Sequence, residues 1–272
     1  MKLLVMGAGG TLGQAVQASA RILGYDATGL TRQECDIASA GDVRAAIGRA
    51  GPDVVINCAG ALPDRPVAEL AVANAAGPHV LAAECGAAGV RLLHVSTDCV
   101  FSGMPFARYR RNSYRSTDTP DATEPYGRSK AYGEPAGDHV LVVRTSFIGL
   151  GRYGLLRHLL DAERDGHAVR GWRHSYWTGS SVHAVADALV AIAAGPVCGR
   201  PLHLATVRAW NKADVCRALI AGLGLRRVAF TEVDEPWIDR TLTPDVTMWG
   251  LDSESSLDQL RTEVEAWRAA SR

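Results

Sequence analysis

The sequence predicts an α/β chain, a doubly wound parallel sheet with a smaller C-terminal lobe. Three observations predict it. Short apolar runs alternate with Ala-rich or amphipathic segments, as such a sheet requires. The first run leads straight into a glycine-rich turn and a helix-like stretch. From about Gly149 the alternation loosens, as expected where a second lobe begins. A chain of 272 residues is long enough for both parts.

Residues 2–6 form a short apolar run and read as a buried strand. Gly7-Ala8-Gly9-Gly10-Thr11-Leu12-Gly13 follows, then a helix-like stretch over 14–23. In this G-x-x-G-x-x-G pattern one glycine makes a tight turn. Another lets the backbone approach a pyrophosphate, and another packs helix against strand. The helix N-terminus then offers N–H groups to the anion. Strand before and helix after are the context that distinguishes a dinucleotide site from an ordinary glycine turn. The arrangement is Rossmann-type, with Gly7, Gly9, Gly10, Thr11 and Leu12 as candidate cofactor contacts. Further strands are expected at 27–31, 54–58, 92–96 and 140–145, and helices at 67–87, 182–194, 212–223 and 256–270. This divides the chain into a dinucleotide-binding Rossmann domain, 1–148, and a mainly small substrate-binding lobe, 149–272, interleaved with returning Rossmann elements. The polar stretch 101–125 is long for a loop, and such loops are usually functional or mobile.

Tyr126-Gly127-Arg128-Ser129-Lys130 sets a Tyr and a Lys four apart, on one helix face. A neighbouring ammonium favours the phenolate, so Lys130 is expected to lower the Tyr126 pKa and suit the phenol to proton transfer. The Thr97 hydroxyl, 29 residues upstream, is placed to hold a carbonyl oxygen beside it.

These motifs resemble the extended short-chain dehydrogenase/reductase superfamily. Asn57-Cys58-Ala59-Gly60, Ser96-Thr97-Asp98-Cys99-Val100-Phe101, Arg144-Thr145-Ser146 and Asp239-Arg240-Thr241-Leu242 narrow the resemblance to its dTDP-4-dehydrorhamnose reductase branch. The resemblance implies an NADPH-dependent reductase of a keto group on a nucleotide-activated deoxysugar, of the dTDP-4-keto-6-deoxyhexose type. Its catalytic residues would be Thr97, Tyr126 and Lys130, with Tyr126 as general acid. Cofactor contacts would extend to Thr31, Arg32, Asp36, Ile37, Cys58, Ala59, Gly60, Thr145, Tyr126 and Lys130. Substrate contacts would be Asp98, Cys99, Arg173 and Trp177. Asn74 resembles the family's N-x-x-G asparagine, and a backbone-bonding packing amide is an equal reading. Related 4,6-dehydratases carry Asp-Glu after the catalytic Thr. Cys99 replaces that second acid, which disfavours dehydration. It also replaces the branch's usual Tyr, which leaves the sugar open. An NADP-binding regulatory subunit without turnover and a sugar-nucleotide epimerase are the alternatives; the intact Thr97, Tyr126 and Lys130 favour the enzyme.

Thr31-Arg32 at the second strand's end favours NADPH over NADH, since an Arg there accommodates a 2′-phosphate and an acid would bind the 2′-hydroxyl. Asp26 sits at the wrong end of that strand to be such an acid. Arg108, Arg110, Arg111 and Arg115 form a cluster suited to a diphosphate, though a charge run is more often a solvated face. Lys+Arg and Asp+Glu both number 29, so bulk charge points to neither nucleic acid nor membrane. No apolar run approaches the roughly 20 residues of a membrane helix. The chain enters a strand at once, so no signal peptide is expected. Six cysteines without C-x-x-C spacing and eight histidines without ligand spacing imply a cytoplasmic protein with no metal site. A homodimer stays open.

Overall fold

The computed structural model describes residues 1–103, 113–196 and 199–270. Strands β1 (Lys2–Met6), β2 (Asp26–Leu30), β3 (Val54–Asn57), β4 (Arg91–Thr97) and β5 (Val140–Thr145) lie in the order β2-β1-β3-β4-β5. Leu202–Ala205 and then Val246–Thr247 extend the sheet beyond β5 to seven strands. Every pairing is parallel. The chain leaves β1 for β2 on one side, then crosses to β3 on the other. That reversal opens a crevice at the carboxyl ends of β1 and β3, where ligands of open α/β sheets bind.

Covered on both faces, the inner strands are continuous apolar runs; β3 and β5 are buried throughout. Alternation sends Leu3 and Val5 to one face, beneath Val16 and Ala20 of helix Thr11–Ile22 and Leu189 and Val190 of helix Val182–Ala194. Leu4 and Met6 face the other side, beneath Val43, Ile47 and Leu81. β2 is an edge strand and only partly buried. It begins one residue earlier than the pattern suggests and leaves Thr31 just past its end. Asp26 pairs with Lys2 at the amino ends, away from the glycine loop, as expected.

The helix expected over 67–87 contains a π-helical segment: Val67–Leu70 is α, Ala71–Ala76 is π and Gly77–Ala87 is α again. Such segments frequently mark functional sites, and this one faces the catalytic helix.

After β5 a separate apolar cluster forms. It joins Leu156 and Leu159 of helix Leu155–Asp165, Val215 and Leu219 of Lys212–Gly222, and Leu260 and Val264 of Glu254–Ala270 with Trp177 and Trp210. Ser175–Trp177 is flanked by Trp210–Asn211 and Ile238–Asp239 in a three-stranded sheet. Among the described residues no helix is long and apolar enough to cross a membrane.

Candidate active site

Gly7 makes the turn out of β1 with φ 75°, a conformation that favours glycine. A Cβ there would stand 2.6 Å from the Ala59 nitrogen, so β1 and the β3 exit close together at the switch point. Gly10 is the N-cap of helix Thr11–Ile22, and no side chain caps that helix. Gly13 packs on the Gly7 carbonyl, with Ala8 Cα 2.9 Å from where its Cβ would be. The loop thus offers close backbone approach and an uncapped helix start, which fit a dinucleotide pyrophosphate. Leu12 and Ile37 are core side chains, and Ile37 packs where Gly77 leaves room. With those side chains in the core, the main chain is what these two positions offer a cofactor. Asp36 accepts from the Ala38 N–H at 3.0 Å and lies 3.9 Å from Arg32 Nε.

β4 ends in Thr97, whose side chain caps the short turn Asp98–Val100 by accepting from the Cys99 N–H at 3.2 Å. Its hydroxyl donates to Asp98 Oδ1 at 3.1 Å and lies within hydrogen-bond reach of the Tyr126 phenol. Tyr126 and Lys130 ride on helix Pro125–Tyr132. Gly127 lets that helix seat against the Cys99 carbonyl, which a Cβ would strike. Lys130 Nζ, buried, donates to the Val95 carbonyl at 2.8 Å. Across β5 from Thr97 lies Thr145, whose buried Oγ1 has no partner among the described residues. An orphaned hydroxyl at the carboxyl end of the sheet fits a polar ligand group there.

The electrostatics correct one expectation. Burial pushes the Tyr126 phenol well above its ordinary value, with Cys99 and Asp98 acting the same way; only the Thr97 hydrogen bond opposes them. Lys130 is itself pushed down to about 8 by burial, against Glu134 and Cys58. One of the three Lys130 N–H donors goes to Val95, and Lys130 is not among the groups acting on the phenol. Tyr126 therefore stays a protonated donor. Burial also pushes the Cys58 and Cys99 thiols up to about 12. Cys99 is a neutral thiol, 3.7 Å from Arg240 Nη1, and does not substitute for the acid a dehydratase would need.

Asn74 resolves toward the packing reading. Fully buried, it accepts from the Ala61 N–H at 2.7 Å and donates to the Ala61 carbonyl at 2.9 Å and to Ser129 Oγ at 3.1 Å. It thereby clamps the β3 exit, beside Gly60, to the catalytic helix. Gly133 packs on the Asn74 carbonyl of the π-helical segment, where a Cβ would strike it. Trp177 is buried in the small lobe, facing Lys212. The half-exposed Arg173 guanidinium pairs with Asp234 at 3.0 Å and lies 3.9 Å from Glu232. Arg115 is exposed in a turn held by Asp118, while Arg108, Arg110 and Arg111 lie outside the described residues.

A family model described as "RmlD substrate binding domain" matches residues 1–268. The chain belongs to this family. A dTDP-4-dehydrorhamnose reductase of Mycobacterium tuberculosis is 35% identical over 240 residues, 82% of this chain and 76% of the relative. A dTDP-4-keto-6-deoxy-D-glucose reductase of Streptomyces niveus is 34% identical over 64% of each chain. A solved dTDP-4-dehydrorhamnose reductase from Bacillus anthracis, in complex with NADP, superposes with a TM-score of 0.83 at 18% identity, covering 96% of this chain and 99% of that one.

Within the RmlD family frame, two acids that the motifs did not flag prove important. Glu34 accepts from both the Thr31 N–H and Thr31 Oγ1 at 2.8 Å, at the strand end where cofactor choice is made. Glu134, four residues after Lys130, receives Arg144 Nη2 at 2.7 Å, Arg144 Nε at 2.9 Å and Ser96 Oγ at 2.6 Å. The Arg144 of the R-T-S motif was visible in sequence. Its partner carried no local signal, because Glu134 follows helix Pro125–Tyr132 and meets Ser96 of β4 and Arg144 of β5 only in the folded chain.

Proposed function

We propose that the chain is an NADPH-dependent reductase of the keto group of a dTDP-4-keto-6-deoxyhexose, working in the cytoplasm, with Tyr126 as general acid. The observation that carries this reading is the Thr97 hydroxyl within reach of a protonated Tyr126 phenol at the carboxyl end of the sheet, beside the glycine loop. The names of the relatives support the substrate class. Bound nicotinamide supplies hydride to the carbonyl carbon. Tyr126 gives its proton to the developing alkoxide, and Thr97 donates a hydrogen bond to the same oxygen. Such preorganised donors, aimed at charge that develops in the transition state, supply much of the barrier reduction. Lys130 places a buried positive charge between the Val95 carbonyl and Cys58, where it steadies the alkoxide and a ribose hydroxyl. The lobe after β5 receives the sugar. The experiment is a screen of dTDP-keto-sugars with NADPH, scored by nicotinamide absorbance and product stereochemistry; no turnover of any of them by the wild type sinks the reading.

The pH profile follows from the shifts. The phenol keeps its proton, whereas Lys130 loses its charge as pH rises through about 8. Reduction is expected to decline over that range. Lys130→Met should be slow throughout and lack that limb. A wild-type rate flat well past pH 8 would count against Lys130 as the controlling group.

Cofactor choice follows from Thr31, Arg32 and Glu34. Arg32→Ala should weaken NADPH binding about tenfold or more and leave NADH nearly unchanged, since a charge-assisted phosphate contact is worth roughly 1.5–3 kcal/mol. Glu34→Ala should strengthen NADPH binding, because the Glu34 carboxylate holds the same Thr31 donors a 2′-phosphate would use. Fluorescence titration measures both. Tighter NADH than NADPH binding by the wild type would overturn the choice.

A further inference from the structure

The three-stranded sheet of the small lobe brings a cation to each edge of its central strand. Its central strand ends in Trp177, which is 2% exposed. On one edge Trp210 pairs with Trp177 and Asn211 with Tyr176, and Lys212 follows. On the other edge Asp239 pairs with Tyr176, and Arg240 follows. Arg240 is anchored: Nε donates to the Phe101 carbonyl at 2.9 Å, Nη2 meets Glu124 at 3.0 Å and Nη1 lies 3.7 Å from Cys99 Sγ. Lys212 is not anchored. Its Nζ stands 4.6 Å from the Trp177 ring centroid, and among the described residues it has no hydrogen-bond acceptor and no carboxylate at ion-pair distance.

Asp98, Cys99 and Cys216 favour a cation there, but other local effects oppose it. Lys212 is the first residue of helix Lys212–Gly222, where the macrodipole opposes positive charge. Asn211 already caps that helix, accepting from the Asp214 N–H at 2.7 Å. Burial pushes the Lys212 ammonium below its ordinary value, and Arg240 acts the same way against Asp98 and Cys99. The cation–π contact offsets only part of this. An anion from outside the chain would complete the environment.

Its position suggests which anion. Gly127, next to Tyr126, packs on the Cys99 carbonyl, and Arg240 Nη1 lies 3.7 Å from Cys99 Sγ. The Asp98–Cys99 turn therefore adjoins both the Tyr126 helix and the Arg240 edge of the small-lobe sheet, whose other edge leads to Lys212. In a pyranose, C4 and C1 stand across the ring. With a C4 carbonyl at Tyr126, the ring spans that turn and the anomeric diphosphate falls toward Lys212 and Arg240.

We infer that Lys212 is a specificity-determining residue that binds the substrate's diphosphate, with its ammonium seated on the Trp177 indole. The inference rests on the nucleotide-sugar reading above. The test is calorimetric titration of the NADPH-loaded protein with dTDP, pyrophosphate and thymidine. Lys212→Met should weaken dTDP and pyrophosphate about ten- to a hundredfold, the scale of one charge-assisted bond. Thymidine and NADPH binding should not change, and NADPH binding serves as the control for folding. Lys212→Arg should recover most of the affinity, which a merely structural role would not require. Equal dTDP affinity in wild type and Lys212→Met overturns the inference and leaves the substrate reading standing. Lys212-dependent pyrophosphate binding without dTDP binding supports the diphosphate site and sinks the thymidine-nucleotide reading. Binding of neither by the wild type overturns both.

Discussion

Tyr126→Phe is expected to lower ketone reduction by about 10²–10⁴-fold, the usual contribution of a positioned general acid, while NADPH affinity is retained. The substitution removes one oxygen from a half-buried ring and disturbs little else. The helix that carries it is seated by Gly127 on the Cys99 carbonyl and by the Asn74–Ser129 bond, neither of which involves the phenol. Thr97→Val should cost less, because Thr97 donates a hydrogen bond without transferring the proton. Steady-state rates beside a cofactor titration separate the two effects. Full activity in Tyr126→Phe would mean that another group delivers the proton.

Glu134→Ala is expected to be the most destabilising single change near the site, costing about 3–5 kcal/mol, the range for breaking a buried ion pair by removing one partner. The Arg144 and Glu134 side chains are only 3% and 9% exposed, and they meet through two hydrogen bonds. Removal of the carboxylate leaves a buried guanidinium without its counter-charge and takes the acceptor from Ser96. Against the 5–15 kcal/mol that holds a typical protein folded, that loss is a large share. Arg144 also donates to the Ser116 carbonyl at 3.2 Å, so the approach to the catalytic helix should loosen as well. Urea denaturation measures the cost. Replacement of both partners together, Glu134→Leu with Arg144→Met, should recover part of it, since no buried charge then remains unpaired. A midpoint unchanged in Glu134→Ala would show that the pair contributes nothing net.

Much of this was legible from local pattern. β1, β3 and β5 were readable because strands covered on both faces must be apolar at nearly every position. β2 was the least well bounded because it is an edge strand and only partly buried. Gly7 announced its turn because few other residues tolerate φ 75° with a neighbouring backbone 2.6 Å from the Cβ position. The π-helical segment around Asn74 was not legible. There Asn74 packs against Gly133, 59 residues away in the chain, and no propensity encodes that contact.

The sequence by itself determined the alternating α/β order, the glycine loop and the Thr97, Tyr126 and Lys130 set. Each of these depends on residues close in the chain, or on a motif whose spacing is set by one turn of helix or one strand. Only the tertiary structure decided the upward shift of the Tyr126 phenol, the pairing of Arg173 with Asp234, the partner of Arg144 and the placement of Lys212 on Trp177. These depend on burial and on charges brought together from distant segments. Burial prevails because desolvation penalises the phenolate directly, and Lys130 is not among the charges that act on it.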